Sequence, residues 1–254
     1  MAASLARARA ADLAQLRHPL RVLLRRCPHE PDFHLFQHLP QPRGLFLDLG
    51  AHAGQSAASF HLMKPRWDIL AFEPDPALAP SLRVMTKLLR GRMSVRNEGV
   101  GEARGVFPLL VPWANHRRIP GEASFDRESL ETHGPTRDRL ATLAGGAQPQ
   151  LRCIRRPVVR IDDLALRPDA IKLDLQGGEL AALRGMMATL EHHRPLVLME
   201  NNRHSLPIAE LLEPLSYRPW NWDDHRQRLV APDNPFEALN VALVPAATLQ
   251  HLPR

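Results

Sequence analysis

One stretch constrains this chain more than any other: Leu45-Phe46-Leu47-Asp48-Leu49-Gly50-Ala51-His52-Ala53-Gly54-Gln55. An apolar run ends in an acid, glycines bracket a three-residue turn, and a helix-like segment follows. About one strand-helix-strand length later, Ile69-Leu70-Ala71-Phe72-Glu73-Pro74 is again an apolar run ending in an acid. The same reading places strands at 44–49, 68–73, 93–97, 106–111, 157–161, 171–175 and 196–200, with a closing pair at 218–222 and 240–244. Helices are expected at 55–64, from Pro76 to a stop at Gly91, after Gly178, and around Ile208 to Leu215. Short, almost wholly apolar strands alternating with amphipathic helices predict an α/β fold: a mostly parallel sheet with helices on both faces. Asp48, Glu73, Asn97, Asp174 and Glu200 all stand at strand ends. Carboxyl ends of parallel strands are where such sheets bind ligands.

Residues 1–43 read as an N-terminal helical extension broken by five prolines, and 44–254 as the main domain. Leu13, Leu16, Leu20 and Leu23 fall at helical spacing and predict a packed helix pair hinged at Pro19. Residues 105–157 form an insertion that could serve as an acceptor lid, and its irregular 112–150 stretch is read as a functional loop, a lid or a poorly ordered segment. No apolar run reaches the roughly 20 residues of a membrane span. The formal charge of +6 is almost entirely arginine, since lysine occurs only at Lys64, Lys87 and Lys172. The arginines are scattered and not interleaved with aromatics, so a nucleic-acid partner is disfavoured. Cys27 and Cys153 carry neither metal-type spacing nor a disulfide framework, which suggests a reducing, cytoplasmic setting. Nothing in the sequence speaks to the oligomeric state.

A nicotinamide dinucleotide would want Gly-x-Gly-x-x-Gly after the first strand; here the spacing is Gly50-x-x-x-Gly54, with Asp48 in the strand end. That acid would repel a pyrophosphate. It suits an adenosine ligand with an ammonium group and no phosphates, which describes S-adenosylmethionine. Glu73 is placed to accept both ribose hydroxyls.

Six segments in order then show a resemblance: Asp48 to Gln55, Phe72-Glu73-Pro74, Asn97-Glu98-Gly99-Val100-Gly101, Val159 to Leu164, Ile171 to Glu179 with Leu183-Arg184-Gly185, and Pro195 to Glu200. In these the chain resembles the FkbM family of S-adenosylmethionine-dependent methyltransferases over roughly residues 44–201. Two positions depart from the family pattern: Gln176, where many members carry Glu, and Gly178, where a bulkier residue is usual. The resemblance implies a class I methyltransferase (Rossmann-like) fold, a seven-stranded sheet with an antiparallel last strand. It implies O-methylation of a small-molecule or glycan acceptor, typically a sugar or secondary-metabolite hydroxyl. It assigns cofactor binding to Asp48, Gly50, Ala51, His52, Gly54, Gln55, Glu73, Pro74, Asn97, Glu98, Gly99 and Asp174.

A hydroxyl acceptor needs a proton acceptor or a metal. Asp174 is the first candidate, with Glu200 on the neighbouring strand end and His204 beyond it. Each also has a plain structural reading. Asp174 could cap a helix or hold the ligand's ammonium, Glu179 is favoured by the helix dipole alone, and His204 could be a loop histidine. Two acids do not make a cation cage, so no metal is assigned. His29, His34 and His38 are read as scattered histidines rather than a zinc site. Ser124 and Phe125 are candidates to face the site, and Trp113, Trp220 and Trp222 to stack on a sugar. Rival readings are an RNA methyltransferase using a basic surface and a non-catalytic adenosine-binding protein.

Overall fold

The computed structural model describes residues 15–119, 121–132 and 134–254. The chain enters through α1 (Arg17–Arg25) and a 3-10 helix over Pro31–His38. It then forms β1 (Leu45–Leu49), α2 (Gln55–Met63), β2 (Asp68–Phe72), α3 (Ala79–Leu88) and β3 (Met93–Arg96). Next come β4 (Gly99–Val100) and, across the insertion, β5 (Gly105–Ala114), β6 (Arg117–Arg118), α4 (Arg127–Glu131), α5 (Gly134–Leu143) and β7 (Gln150–Val159). The chain continues with β8 (Ala170–Leu173), α6 (Glu179–Arg184), α7 (Met187–His193), β9 (Leu196–Glu200) and α8 (Ser205–Leu212). It closes with β10 (Tyr217–Asp223), β11 (Arg228–Val230), β12 (Asn240–Pro245) and α9 (Ala246–Leu249).

Among the described residues the main sheet has eight strands in the order β3-β2-β1-β8-β9-β12-β10-β11, not the seven expected. The extra strand is β11, which folds back antiparallel on β10 over Asn221 to Asp223. β3, β2, β1, β8 and β9 are parallel, and β12 runs antiparallel between β9 and β10. Strand order reverses at β1, whose neighbours β2 and β8 are reached in opposite directions. That reversal opens a crevice at the carboxyl ends of β1 and β8.

Side chains alternate across each strand, and the two faces bury different cores. Leu47, Leu49, Ile171, Leu173, Val197 and Met199 meet Leu183, Leu190, Ile208 and Leu212 from α6, α7 and α8. On the opposite face Phe46 stacks on Phe60 of α2, with ring centroids 3.8 Å apart and planes 3° apart. α2 ends at Lys64 because Pro65 follows and disfavours helical backbone before it.

The N-terminal segment packs into this same core. Phe33, Leu35 and Phe36 are fully buried, and Phe36 sits edge-on to both Phe46 and Phe60. Pro19 lies in the first turn of α1 rather than at a hinge. A missing N–H costs nothing there, because first-turn donors have no partner within the helix. Leu13 and the first half of the expected helix pair lie outside the described residues.

The 105–157 insertion is more ordered than its composition suggests. β5 and β7 pair antiparallel from Gly105↔Val158 to Trp113↔Gln150, in a second sheet ordered β4-β7-β5-β6. Leu130, Leu140 and Ala144 of the helical loop cover Leu110, Ala114 and Ile119 in a small core of their own. The strand starting at Gln150 escapes a hydropathy reading because Arg152, Arg155, Arg156 and Pro157 interrupt it. Among the described residues no helix is long and apolar enough to cross a membrane.

Candidate active site

The turn after β1 is the floor of the site. Gly50 has φ +88°, and a Cβ there would collide with the carbonyl oxygen of Asp174, so only glycine lets the β1 and β8 ends lie this close. Gly54, at φ +98°, opens α2 against Met85. The Gly50 and Ala51 amides both donate to the Phe72 carbonyl, at 3.0 and 3.1 Å, locking the turn to the end of β2.

Glu73 follows directly. Its Oε2 accepts from the His52 amide at 2.8 Å and its Oε1 from the Asp75 amide at 2.9 Å. A carboxylate has about four lone-pair sites, so it retains acceptors for a ligand. Burial pushes its carboxyl up to about 8. Around it the loop is clamped: Asn97 Nδ2 donates to the Glu73 carbonyl at 2.6 Å. Arg156 from β7 donates to the carbonyls of Pro74 and Asn97, at 2.6 and 2.7 Å, and to Asn97 Oδ1 at 2.8 Å. Glu98 is turned aside onto Arg96. Arg118 of the insertion pairs with the buried Asp75.

At the other end stand the acids. Gln176 Nε2 lies 2.9 Å from Asp174 Oδ1 and 3.2 Å from Glu200 Oε2 and bridges the two. Burial and the neighbouring Asp174 charge push Glu200 up to about 8. Burial opposes the Asp174 charge, but Lys172 and its hydrogen bonds outweigh that and hold Asp174 below its ordinary value. Lys172 is fully buried, with Nζ 3.9 Å from Asp174 Oδ2. Arg139 of α5 reaches in from the insertion, 2.9 Å from Glu122 and 3.8 Å from Glu200.

These groups enclose a cavity of about 650 Å³. Of the residues singled out in the sequence, Gly50, His52, Gln55, Glu73, Pro74, Gly99, Asp174 and Glu200 line it, as does Phe125. Asp48, Ala51, Gly54, Asn97, Glu98 and His204 stand outside the lining. Asp48 lies beneath the floor, on the strand position paired with Lys172. Among the described residues its oxygens have no hydrogen-bond partner, and burial pushes it up to about 7. His204 sits at the start of α8, 3.2 Å from Arg203 Nε and 3.9 Å from Asp126. Glu179 braces the 175–177 turn, accepting from the Leu175 and Gly177 amides and from Asn202. Ser124 donates to the Gln176 carbonyl at 2.7 Å. Trp113, Trp220 and Trp222 do not line the cavity. Trp113 lies under the Arg152 guanidinium, and Trp222 donates to Asp224. His29 bonds Ser59 and His34 bonds Asp224.

Sequence reasoning missed Glu30, Glu122, Arg139 and Arg156. Glu30 reaches the lining from the N-terminal segment, held by Asn240 Nδ2 at 3.1 Å. No periodicity or spacing marks any of the four. Gln176 alone left a trace, as a departure from an otherwise familiar pattern.

The geometry agrees with what comparison finds. The Methyltransferase FkbM domain matches residues 48–229, more than half of the chain. No curated protein matches the sequence. A crystal structure of methyltransferase FkbM from Methylobacillus flagellatus is similar in fold, at 16% identity and a TM-score of 0.50. That match covers 84% of this chain and 50% of the other, so this chain spans half its length. A precorrin-6y C5,15-methyltransferase from Geobacter metallireducens aligns at 12% identity and a TM-score of 0.39, covering 82% of each chain. On the extent of the domain match, the chain belongs to the FkbM methyltransferase family.

Proposed function

We propose that the chain is an S-adenosylmethionine-dependent O-methyltransferase acting on a hydroxyl of a sugar, glycan or secondary metabolite. The observation that carries this reading is the arrangement of one cavity, with Glu73 and the glycine turn at one end and the Asp174–Glu200 pair at the other. In this reading residues 44–254 are the methyltransferase domain, and the 1–43 extension contributes Glu30.

The residues present fit an adenosine cofactor. Glu73 keeps free acceptors for a ribose diol, and the glycine turn at Gly50 lines the same cavity. Leu78, Val100 and Phe125 offer apolar contact for a base. When bound, S-adenosylmethionine supplies a methyl group on a positively charged sulfur.

The chain's own contribution is to orient the acceptor, exclude water and take its proton. Asp174 and Glu200 titrate as a coupled unit. At neutral pH the pair holds one proton, mainly on Glu200. Once that proton leaves, the pair accepts one from the acceptor hydroxyl. Glu30, Glu122, Asp174 and Glu200 make this end acidic, which suits hydroxyl-rich acceptors and repels a polyanion such as RNA.

Calorimetry with S-adenosylmethionine, and transfer of a labelled methyl group into glycan and metabolite fractions, test the reading. Transfer should rise with pH through about 8, and Asp174→Asn should lower it by about 100-fold or more while the cofactor still binds. Absence of cofactor binding to the wild-type chain would end this reading.

A further inference from the structure

Gln176 occupies a conformation that its own turn does not favour. It is a non-glycine residue at φ +53°, directly before Gly177 at φ +102°. Two contacts from the insertion hold it there. Its carbonyl accepts from Ser124 Oγ at 2.7 Å, and its side-chain Oε1 accepts from Arg139 Nη2 at 2.6 Å. An arginine has only donors, so the amide oxygen must face Arg139. The amide nitrogen is thereby aimed at Asp174 Oδ1 and Glu200 Oε2, each of which it reaches. A side-chain amide is ordinarily free to flip; here the guanidinium decides its sense.

We propose that Gln176 is a positioning residue that holds the Asp174–Glu200 pair in one arrangement, and that the insertion orients it through Arg139 and Ser124. The proposal rests on reading that pair as the proton acceptor of methyl transfer. It gives the insertion a role in the chemistry beyond covering the cavity.

The pair is surrounded by charge from every side. Lys172 on the same strand and Arg139 favour its ionised form. Asp48 from β1, Glu179 from α6 and Glu122 from the insertion oppose Asp174, as does Glu73 across the cavity. Glu30 from the N-terminal segment acts through Lys172. His29 and His52, both held toward their neutral forms by burial, also feel Asp174.

The test is a carboxyl-region infrared titration of the full chain, with Asp174→Asn and Glu200→Gln assigning the bands. Gln176→Leu removes both donors and should move the pair's last proton loss upward by about one pH unit. Gln176→Glu, which preserves volume and the Arg139 contact, should move it at least as far. Arg139→Met should also raise it, but by much less when Gln176 is already leucine. An unchanged titration in Gln176→Leu and Gln176→Glu overturns the proposal. So does strict additivity of the Arg139 and Gln176 changes, since Arg139 would then act on Glu200 by direct charge alone. Calorimetry with S-adenosylmethionine on the same samples separates the two claims. Lost binding in the wild-type chain defeats the methyltransferase reading, whereas a titration unmoved beside intact binding defeats only the role of Gln176.

Discussion

Four carboxyl side chains at or near the cavity are pushed up by burial: Asp48 and Glu179 to about 7, and Glu73 and Glu200 to about 8. Each has an unfolded value near 4. Between those limits the folded chain binds more protons than the unfolded one, so the stability they contribute is full below about pH 4 and lost as pH rises through 7 to 8. Asp174 and Asp224, shifted down, act oppositely and lose their contribution only in acid. The thermal midpoint should therefore fall between pH 6 and about pH 9, and Asp48→Asn should flatten that slope. A slope unaltered by Asp48→Asn would mean that its carboxyl is ionised in the folded protein throughout. At this scale the sequence marked Glu73, Asp174 and Glu200, which line the cavity, beside other acids that do not. Asp48, read as a ligand contact, lies under the floor. Glu179 braces a turn, a role that depends on which amides come within reach and not on its neighbours in the chain.

The elements tell a similar story about reach. The parallel strands and their helices are legible because burial on two faces leaves continuous apolar runs and 3.6-residue stripes. The β5–β7 hairpin is legible only in part, at 106–111 and from 157 on, because the rest of β7 is largely exposed and crossed by arginines. Its Arg156 nevertheless makes three hydrogen bonds to the two loops that carry Pro74 and Asn97, after β2 and β3. Arg156→Met should leave the fold in place and weaken S-adenosylmethionine binding by about tenfold, as expected for losing charge-assisted hydrogen bonds that shape a pocket. Calorimetry giving a Kd within about twofold of wild type would show that the hairpin is tethered by other contacts.

For the whole molecule, the N-terminal segment and the sheet share one core. Phe36 lies against Phe46 and Phe60, so Phe36→Ala should cost about 3–5 kcal/mol in denaturant unfolding. Removing residues 1–43 takes away Phe33, Leu35 and Phe36 together and should leave a chain that does not unfold cooperatively. A truncated protein with an unchanged unfolding transition would refute this shared core.

Local chemistry determined a good deal. Strand length, glycine turns with positive φ and apolar periodicity act over a few residues, so the alternating fold, the turn at Gly50 to Gly54 and the acids at strand ends were all readable from the chain itself. Tertiary structure decided the rest. The count of eight strands depends on β11 returning to β10, and the working cavity depends on Glu30, Glu122, Arg139 and Arg156 arriving from distant segments. Asp174 and Glu200 lie 26 positions apart and become a pair because β8 and β9 are neighbours in the sheet. Contacts across such separations leave no periodic mark on a sequence; their energy exists only once the chain has folded and brought the groups within reach.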